Sequence, residues 1–334
     1  MSKKSAVEDV LPLSSLQEGF LFHALYDRDG LDVYTVQMAT ELTGPVDVVA
    51  LRAAADALLR RHANLRVGFR HKGLDRPVQV VRREVRAPWR DVDLTGSADP
   101  EAEYAALVDE ERARRFDMAR APLLRFVLVV LPGRVHRLLL TMHHILMDGW
   151  STPVFLDELF TLYEHAGDDS AMPRVTPYRD YLGWLNRQDT EGALAAYDEV
   201  LAGLDGPTLV GAAADNASVV PDGVLVELDD ELTDALTRTS RARGWTMNTL
   251  AQGAWGVVLG RYLGRRDVVF GGTVSGRPAE LPGVETMLGL FINTLPVRVT
   301  WHAGQSLGDL LAAVQDRQAG LIAHQHVGLA DVQR

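Results

Sequence analysis

The 334-residue chain contains no cysteine. That single absence excludes disulfides, thiolate-bound metal, iron–sulfur clusters and a cysteine nucleophile. Positive charge is in deficit: 34 Lys and Arg stand against 45 Asp and Glu, a formal charge of −11. Such an acidic chain is poorly suited to hold nucleic acid or an anionic membrane surface. Long hydrophobic runs are missing too. The strongest, Phe126 to Leu131, is far short of the roughly 20 residues that a spanning helix needs. The opening residues lack the apolar core of a secretory signal, so a soluble protein of the reducing cytoplasm is expected. No G-x-S-x-G elbow, Walker A loop or H-E-x-x-H helix occurs, which removes the common hydrolase, nucleotide and zinc-protease signatures.

What is present describes an ordinary globular protein. Hydrophobic residues make up 47% and charged residues 24%, and the length suits two lobes, each with its own core. Asp47 is placed to cap a helix reaching His62, and a strand over Asn64–Arg70 comes next. A second helix is expected from Pro100 to Phe116. Leu123–Leu131 reads as a buried strand, Pro132-Gly133 as a turn, and Arg137–Ile145 as the returning strand of a hairpin. Helices are further expected over Tyr178–Leu204, after Asp229-Asp230, over Thr246–Leu263 and after Ser306. Strands are expected over Val224–Leu228, Asp267–Val274 and Phe291–Val299. Gly206–Gly223, rich in small and polar residues, reads as a linker. Ser275-Gly276-Arg277-Pro278 reads as a turn. Gly253, Gly256 and Gly260 fall inside an apolar helix, where close packing is a better reading than phosphate binding.

The segment with chemical potential is His143-His144-Ile145-Leu146-Met147-Asp148-Gly149, at the junction of an apolar strand and a turn. Neighbouring strand side chains point to opposite faces, so the two imidazoles do not readily converge on one metal. One ring is expected to pack against structure while the other can face a cavity, and periodicity alone does not choose between them. An imidazole so placed is a suitable general base near neutral pH. The next helix N-terminus, opened by Ser151 or Thr152 and Pro153, favours developing negative charge. Asp148, short and followed by Gly, suits an organising role, bonding backbone N–H groups or an arginine.

This segment resembles the HHxxxDG motif of condensation domains of nonribosomal peptide synthetases, and other motifs occur in order. Leu11 to His23 is similar to the family's opening motif. Arg61-His-Ala-Asn-Leu-Arg66-Val-Gly-Phe69 resembles its RHExLRxxF motif, with Ala63 where Glu is usual. Tyr178 to Trp184 resembles YxDYxxW, and Leu288 to Arg298 resembles GxFxNTxPxR. His324-Gln325-His326 looks like a degraded start of the HQxxP element. The resemblance implies an α+β fold of two chloramphenicol-acetyltransferase-like lobes, each a mixed sheet with helices, set as a V around a tunnel. The lobes are expected at 1–175 and 176–334. It implies His144 as the residue acting on the attacking amine, with Gly149 beside the reacting centre. His143 and Asp148 become structural, Asp148 pairing with Arg66. Trp150, Ser151, Ser275 and Asn293 are expected to line the tunnel, although an amide bracing a loop is an equal reading of Asn293.

No cofactor or metal is implied, because the substrates ride on phosphopantetheine arms of donor and acceptor carrier domains, with an adenylation domain as neighbour. The opening Gln-Glu-Gly-x-Leu-Phe-His looks more like domains that take a D-configured donor. Family members run on for about a hundred further residues, so a truncated second lobe is expected. Two alternatives stay open: a non-catalytic module that recruits a carrier or tailoring enzyme, and an epimerisation domain.

Overall fold

The computed structural model describes residues 5–26, 30–211 and 223–332. The first part of the chain forms β1 (Val7–Pro12), α1 (Ser15–Tyr26), β2 (Thr35–Leu42), α2 (Val48–Arg61), β3 (Val67–Arg70), β4 (Val78–Arg82), β5 (Trp89–Asp93), α3 (Pro100–Ala113), β6 (Leu124–Leu131), β7 (Val135–His143), α4 (Ser151–Glu164) and α5 (Tyr178–Leu185). The second part forms α6 (Thr190–Leu201), α7 (Asp230–Arg243), α8 (Met247–Leu263), β8 (Asp267–Val274), β9 (Asn293–Thr300), α9 (Leu307–Ile322) and α10 (Leu329–Val332). Two compact units result: Met1–Arg187 with Arg277–Phe291, and Gln188–Gly276 with Ile292–Arg334. The return of Arg277–Phe291 to the first unit is a feature that a single cut between residues 175 and 176 does not contain.

In the first unit a four-stranded sheet has the order β2-β7-β6-β5, and a three-stranded sheet the order β1-β4-β3. β6 and β7 form the expected hairpin, antiparallel from Leu131↔Val135 to Leu124↔Met142. β6 is apolar at every position but Arg125 because both its faces are covered. Val127 and Val129 pack with Leu107 of α3, while Phe126 stacks on Phe155 of α4 at 6.5 Å between centroids. Arg125, buried within that run, is answered by Glu111 Oε2 at 2.5 Å and by the Arg114 carbonyl at 2.7 Å. Asp47 caps α2 by accepting from the N–H groups of Val49 and Ala50, and α2 packs on α4. Residues Ala63–Arg66 form a 3-10 turn, so the strand expected from Asn64 starts at Val67.

In the second unit β8 and β9 pair antiparallel and pack through Val268, Val297 and Val299 on Leu310, Leu311 and Val314 of α9. The three α8 glycines admit this packing. A Cβ at Gly256 would lie 2.5 Å from Val299, and one at Gly260 would meet Trp301 and lie 2.7 Å from the Arg265 carbonyl. Two sequence expectations are corrected. Val224–Leu228 forms no strand: no ladder partner lies beside it among the described residues, and Val224 is 91% exposed. The helix expected over Tyr178–Leu204 is broken into α5 and α6, because Asp189 caps α6 by accepting from the Gly192 N–H at 3.1 Å. Of the expected linker, residues 212–222 lie outside the described residues. No helix among the described residues is long and apolar enough to cross a membrane.

Candidate active site

β7 delivers the two histidines. The strand ends at His143, whose N–H still donates to the Leu123 carbonyl at 2.9 Å. The chain then turns at once: the Leu146 N–H donates to the His143 carbonyl at 3.1 Å, and the Ile145 N–H to His143 Nδ1 at 3.1 Å. Because Nδ1 accepts, the neutral His143 ring carries its proton on Nε2, which lies 3.3 Å from Asp32 Oδ2. His143 is fully buried. Burial pushes the Asp32 carboxyl up, but His143, the Tyr34 N–H and Arg115 together outweigh it and leave Asp32 below the usual carboxylate range.

His144 is only half-buried and has a different partner. Its Nδ1 lies 2.9 Å from the Met147 carbonyl oxygen. A carbonyl can only accept, so Nδ1 carries the proton and the neutral ring presents a lone pair at Nε2. Phe20 meets this ring edge-on at 5.6 Å and itself stacks on Tyr34 at 4.1 Å. The adjacent histidines are thus held by separate partners, one in the core and one at its margin.

Asp148 organises the turn into α4. Its Oδ1 accepts from the Ser151 N–H at 3.0 Å, opening that helix, and its Oδ2 accepts from the Phe291 N–H at 2.9 Å. The Asp148 N–H donates to the Gly289 carbonyl at 3.0 Å. Its cationic partner is Arg277, at 3.4 Å. This corrects the pairing with Arg66. Arg66 is buried in another network, donating to Glu8 Oε2 and to the Leu59 carbonyl, each at 2.8 Å, and to the Arg82 and Arg83 carbonyls. It holds the Glu8 carboxyl below its usual range. The physical reason is reach: Arg66 is consumed tying the 3-10 turn to α2 and the β4 end, whereas Arg277 arrives with the segment that Asp148 binds. Arg277 also donates to the Ser151 hydroxyl at 2.9 Å and lies 3.9 Å over the Phe291 ring. Burial lowers its pKa, and the Asp148 carboxylate opposes that shift.

Ser151, expected to line a substrate passage, is fully buried. Its Oγ accepts from the Gly289 N–H at 3.1 Å and from Arg277, and lies 2.9 Å from the Gly289 carbonyl. It is a fastener of residues 289–291, not a lining group. Asn293, in the second unit, is likewise engaged, its Nδ2 donating to the Gln325 and Val327 carbonyls at 2.7 Å each. The loop-bracing reading describes it better than a free lining amide. Trp150 and Gly149 are exposed, with open space around the Gly149 Cα. The Trp150 indole N–H donates to the Glu285 carbonyl at 3.3 Å. Ser275, in the second unit, is exposed.

These motifs, in this order and on this fold, coincide with a known family model. The description "Condensation domain" matches residues 7–334. The chain belongs to the condensation-domain family of nonribosomal peptide synthetases. This condensation domain is 34% identical over 99% of its length to gramicidin S synthase 2 of Brevibacillus brevis, of which it spans 8%. It is 34% identical over 99% of its length to bacitracin synthase 3 of Bacillus licheniformis, of which it spans 5%. The domain therefore corresponds to a small part of these much longer relatives. Among solved structures it shares the fold of the first condensation domain of the calcium-dependent antibiotic synthetase in complex with a substrate analogue. There the TM-score is 0.79 at 24% identity, over 98% of this chain and 78% of that one. It also shares the fold of the complex of the X-domain and OxyB from teicoplanin biosynthesis, with TM-score 0.84 at 24% identity, over 99% and 75%.

Several residues that shape the turn around His143, His144 and Asp148 give little or no signal in the sequence. Arg277 stands in the Ser275-Gly276-Arg277-Pro278 segment, whose pattern states a turn and nothing of an ion pair. Gln17 and Asn64 lie inside recognisable motifs but carry no distinguishing pattern. Asp32 carries no local signal at all.

Proposed function

We propose that this domain forms an amide bond between a donor aminoacyl or peptidyl thioester and the α-amine of an acceptor aminoacyl thioester, each delivered on the phosphopantetheine arm of a carrier domain. The observation that carries this reading is the tautomer of His144: Nδ1–H is spent on the Met147 carbonyl, leaving Nε2 as an acceptor at the margin of the core. The amine nitrogen attacks the thioester carbonyl carbon, a C–N bond forms and the C–S bond breaks. Nε2 takes the amine proton and passes it to the departing thiolate, which leaves as the phosphopantetheine thiol. The thioester is already activated, so no covalent enzyme intermediate is needed. The domain supplies proximity and the base. The opening motif supports a donor of D configuration, which competition between D- and L-aminoacyl donor carriers checks.

The decisive experiment is product formation with loaded carrier domains in the parent synthetase. His144→Ala is expected to lose about 10²–10⁴ in rate; unchanged turnover sinks the proposal. The likeness to the X-domain fold motivates a second reading, a recruiting module without chemistry. Stable capture of a partner, with no turnover from the wild-type parent, selects that reading.

A further inference from the structure

The loop after the two histidines has an arrangement that the motif alone does not explain. Three consecutive carbonyls each accept from a side chain. Ile145 O accepts from Gln17 Nε2 at 3.2 Å, Leu146 O from Asn64 Nδ2 at 3.3 Å, and Met147 O from His144 Nδ1 at 2.9 Å. Ile145, Leu146 and Met147 are all at most 1% exposed, so water is poorly placed to replace a missing donor.

The peptide planes of this loop are not held equally. The plane between residues 145 and 146 is tied at both ends, by Gln17 and by the His143 carbonyl. The plane between 147 and 148 is tied by His144 and by the Gly289 carbonyl. The plane between 146 and 147 has Asn64 as its anchor among the described residues. Rotation of that middle plane swings the next carbonyl, which is the one that fixes the His144 proton.

The Gln17 amide is itself oriented. Gln17 Oε1 accepts from the Ser14 N–H at 3.0 Å and from Gln79 Nε2 at 3.2 Å, so a flipped amide would set donor against donor. Asn64 sits on the 3-10 turn that Arg66 ties to the Leu59 carbonyl. The second sequence motif thus reaches the histidine motif through an amide on its turn, not through the Arg66 charge.

We propose that Asn64 and Gln17 are positioning residues for His144, holding loop 145–147 so that its ring keeps Nδ1–H on the Met147 carbonyl and Nε2 bare. The proposal rests on His144 being the base, but its principal test needs no substrate. In histidine-15N-labelled protein, with the resonance assigned by its loss in His144→Ala, wild type is expected to show a protonated Nδ1 and an unprotonated Nε2 at neutral pH. In Asn64→Leu, Asn64→Asp and Gln17→Met the preference for that tautomer is expected to fall by roughly tenfold, the worth of one lost hydrogen bond. Leu107→Ala, a core truncation in the α3 packing, should lower stability and leave the His144 signals in place.

In the parent synthetase the amide variants should lose about 10–100-fold in kcat with KM unchanged, as expected for a misplaced catalytic group. Folded variants with the wild-type tautomer and titration would overturn the proposal, as would a wild type protonated at Nε2. Unfolding of all three variants would overturn it as well, because a positioning role leaves a folded chain. A moved tautomer together with a parent that forms no amide would instead remove the proposed function and keep the positioning.

Discussion

Asp148 has four tasks within a single turn: opening α4, holding the Phe291 N–H, touching the Ser151 hydroxyl and facing Arg277. Removing one member of a buried ion pair leaves the other charge uncompensated, typically at a cost of about 3–5 kcal/mol. Asp148→Ala is therefore expected to lower unfolding free energy by about that amount in urea titration. The partner is identified by coupling. A double-mutant cycle between Asp148→Ala and Arg277→Ala should show an interaction of about 1–3 kcal/mol, whereas Asp148→Ala and Arg66→Ala should add within about 0.5 kcal/mol. Coupling to Arg66 and independence of Arg277 would reverse the assignment. The aspartate's organising character is legible in the sequence, since Asp-Gly after a strand states it. Its partner is not, because Arg277 stands 129 residues along the chain and no local pattern links the two.

At the scale of elements, the legible part is the local part. The β6–β7 hairpin comes from an apolar run, a Pro-Gly turn and a second run. α2 and α8 come from capping residues Asp47 and Thr246. Neither β1 nor β2 is legible in this way, because β1 alternates on a half-exposed edge and β2 is mixed in burial. Val224–Leu228 shows the converse. Its composition suits a strand, but composition cannot form a ladder where no neighbour among the described residues lies alongside. The α8 glycines join local pattern to packing. Gly260→Ala should cost about 1–3 kcal/mol, since its methyl meets the Trp301 ring and the backbone at Arg265. Gly320→Ala, in α9 with nothing within 4 Å of its Cβ, should stabilise by about 0.5–1 kcal/mol through helix propensity. Thermal melts of the two variants moving in opposite directions would confirm this. A common direction would mean that propensity, not contact, governs these helices.

At the scale of the molecule, the acidic excess matters less than where its depressed carboxylates sit. Asp32 and Glu158 are both in the first unit. At Glu158 burial pushes the carboxyl up, but His62 at 2.8 Å and Arg61 at 2.9 Å outweigh it and leave the group below its ordinary value. Asp32 has the same balance around His143. The unfolded carboxyls titrate near about pH 4. The native groups hold their charge lower, so their contribution is complete above about pH 4 and is lost as the pH falls through the native values. Asp32→Asn and Glu158→Gln should each be destabilising near neutral pH, by about the 1.5–3 kcal/mol that a hydrogen bond to a charged group is worth. That penalty should shrink below about pH 4, because protonation does to wild type what the amide does permanently. Urea unfolding from roughly pH 2 to pH 7 is the measurement. A penalty unchanged over that range would mean that these side chains act through packing alone, and that the first unit's acid sensitivity arises elsewhere.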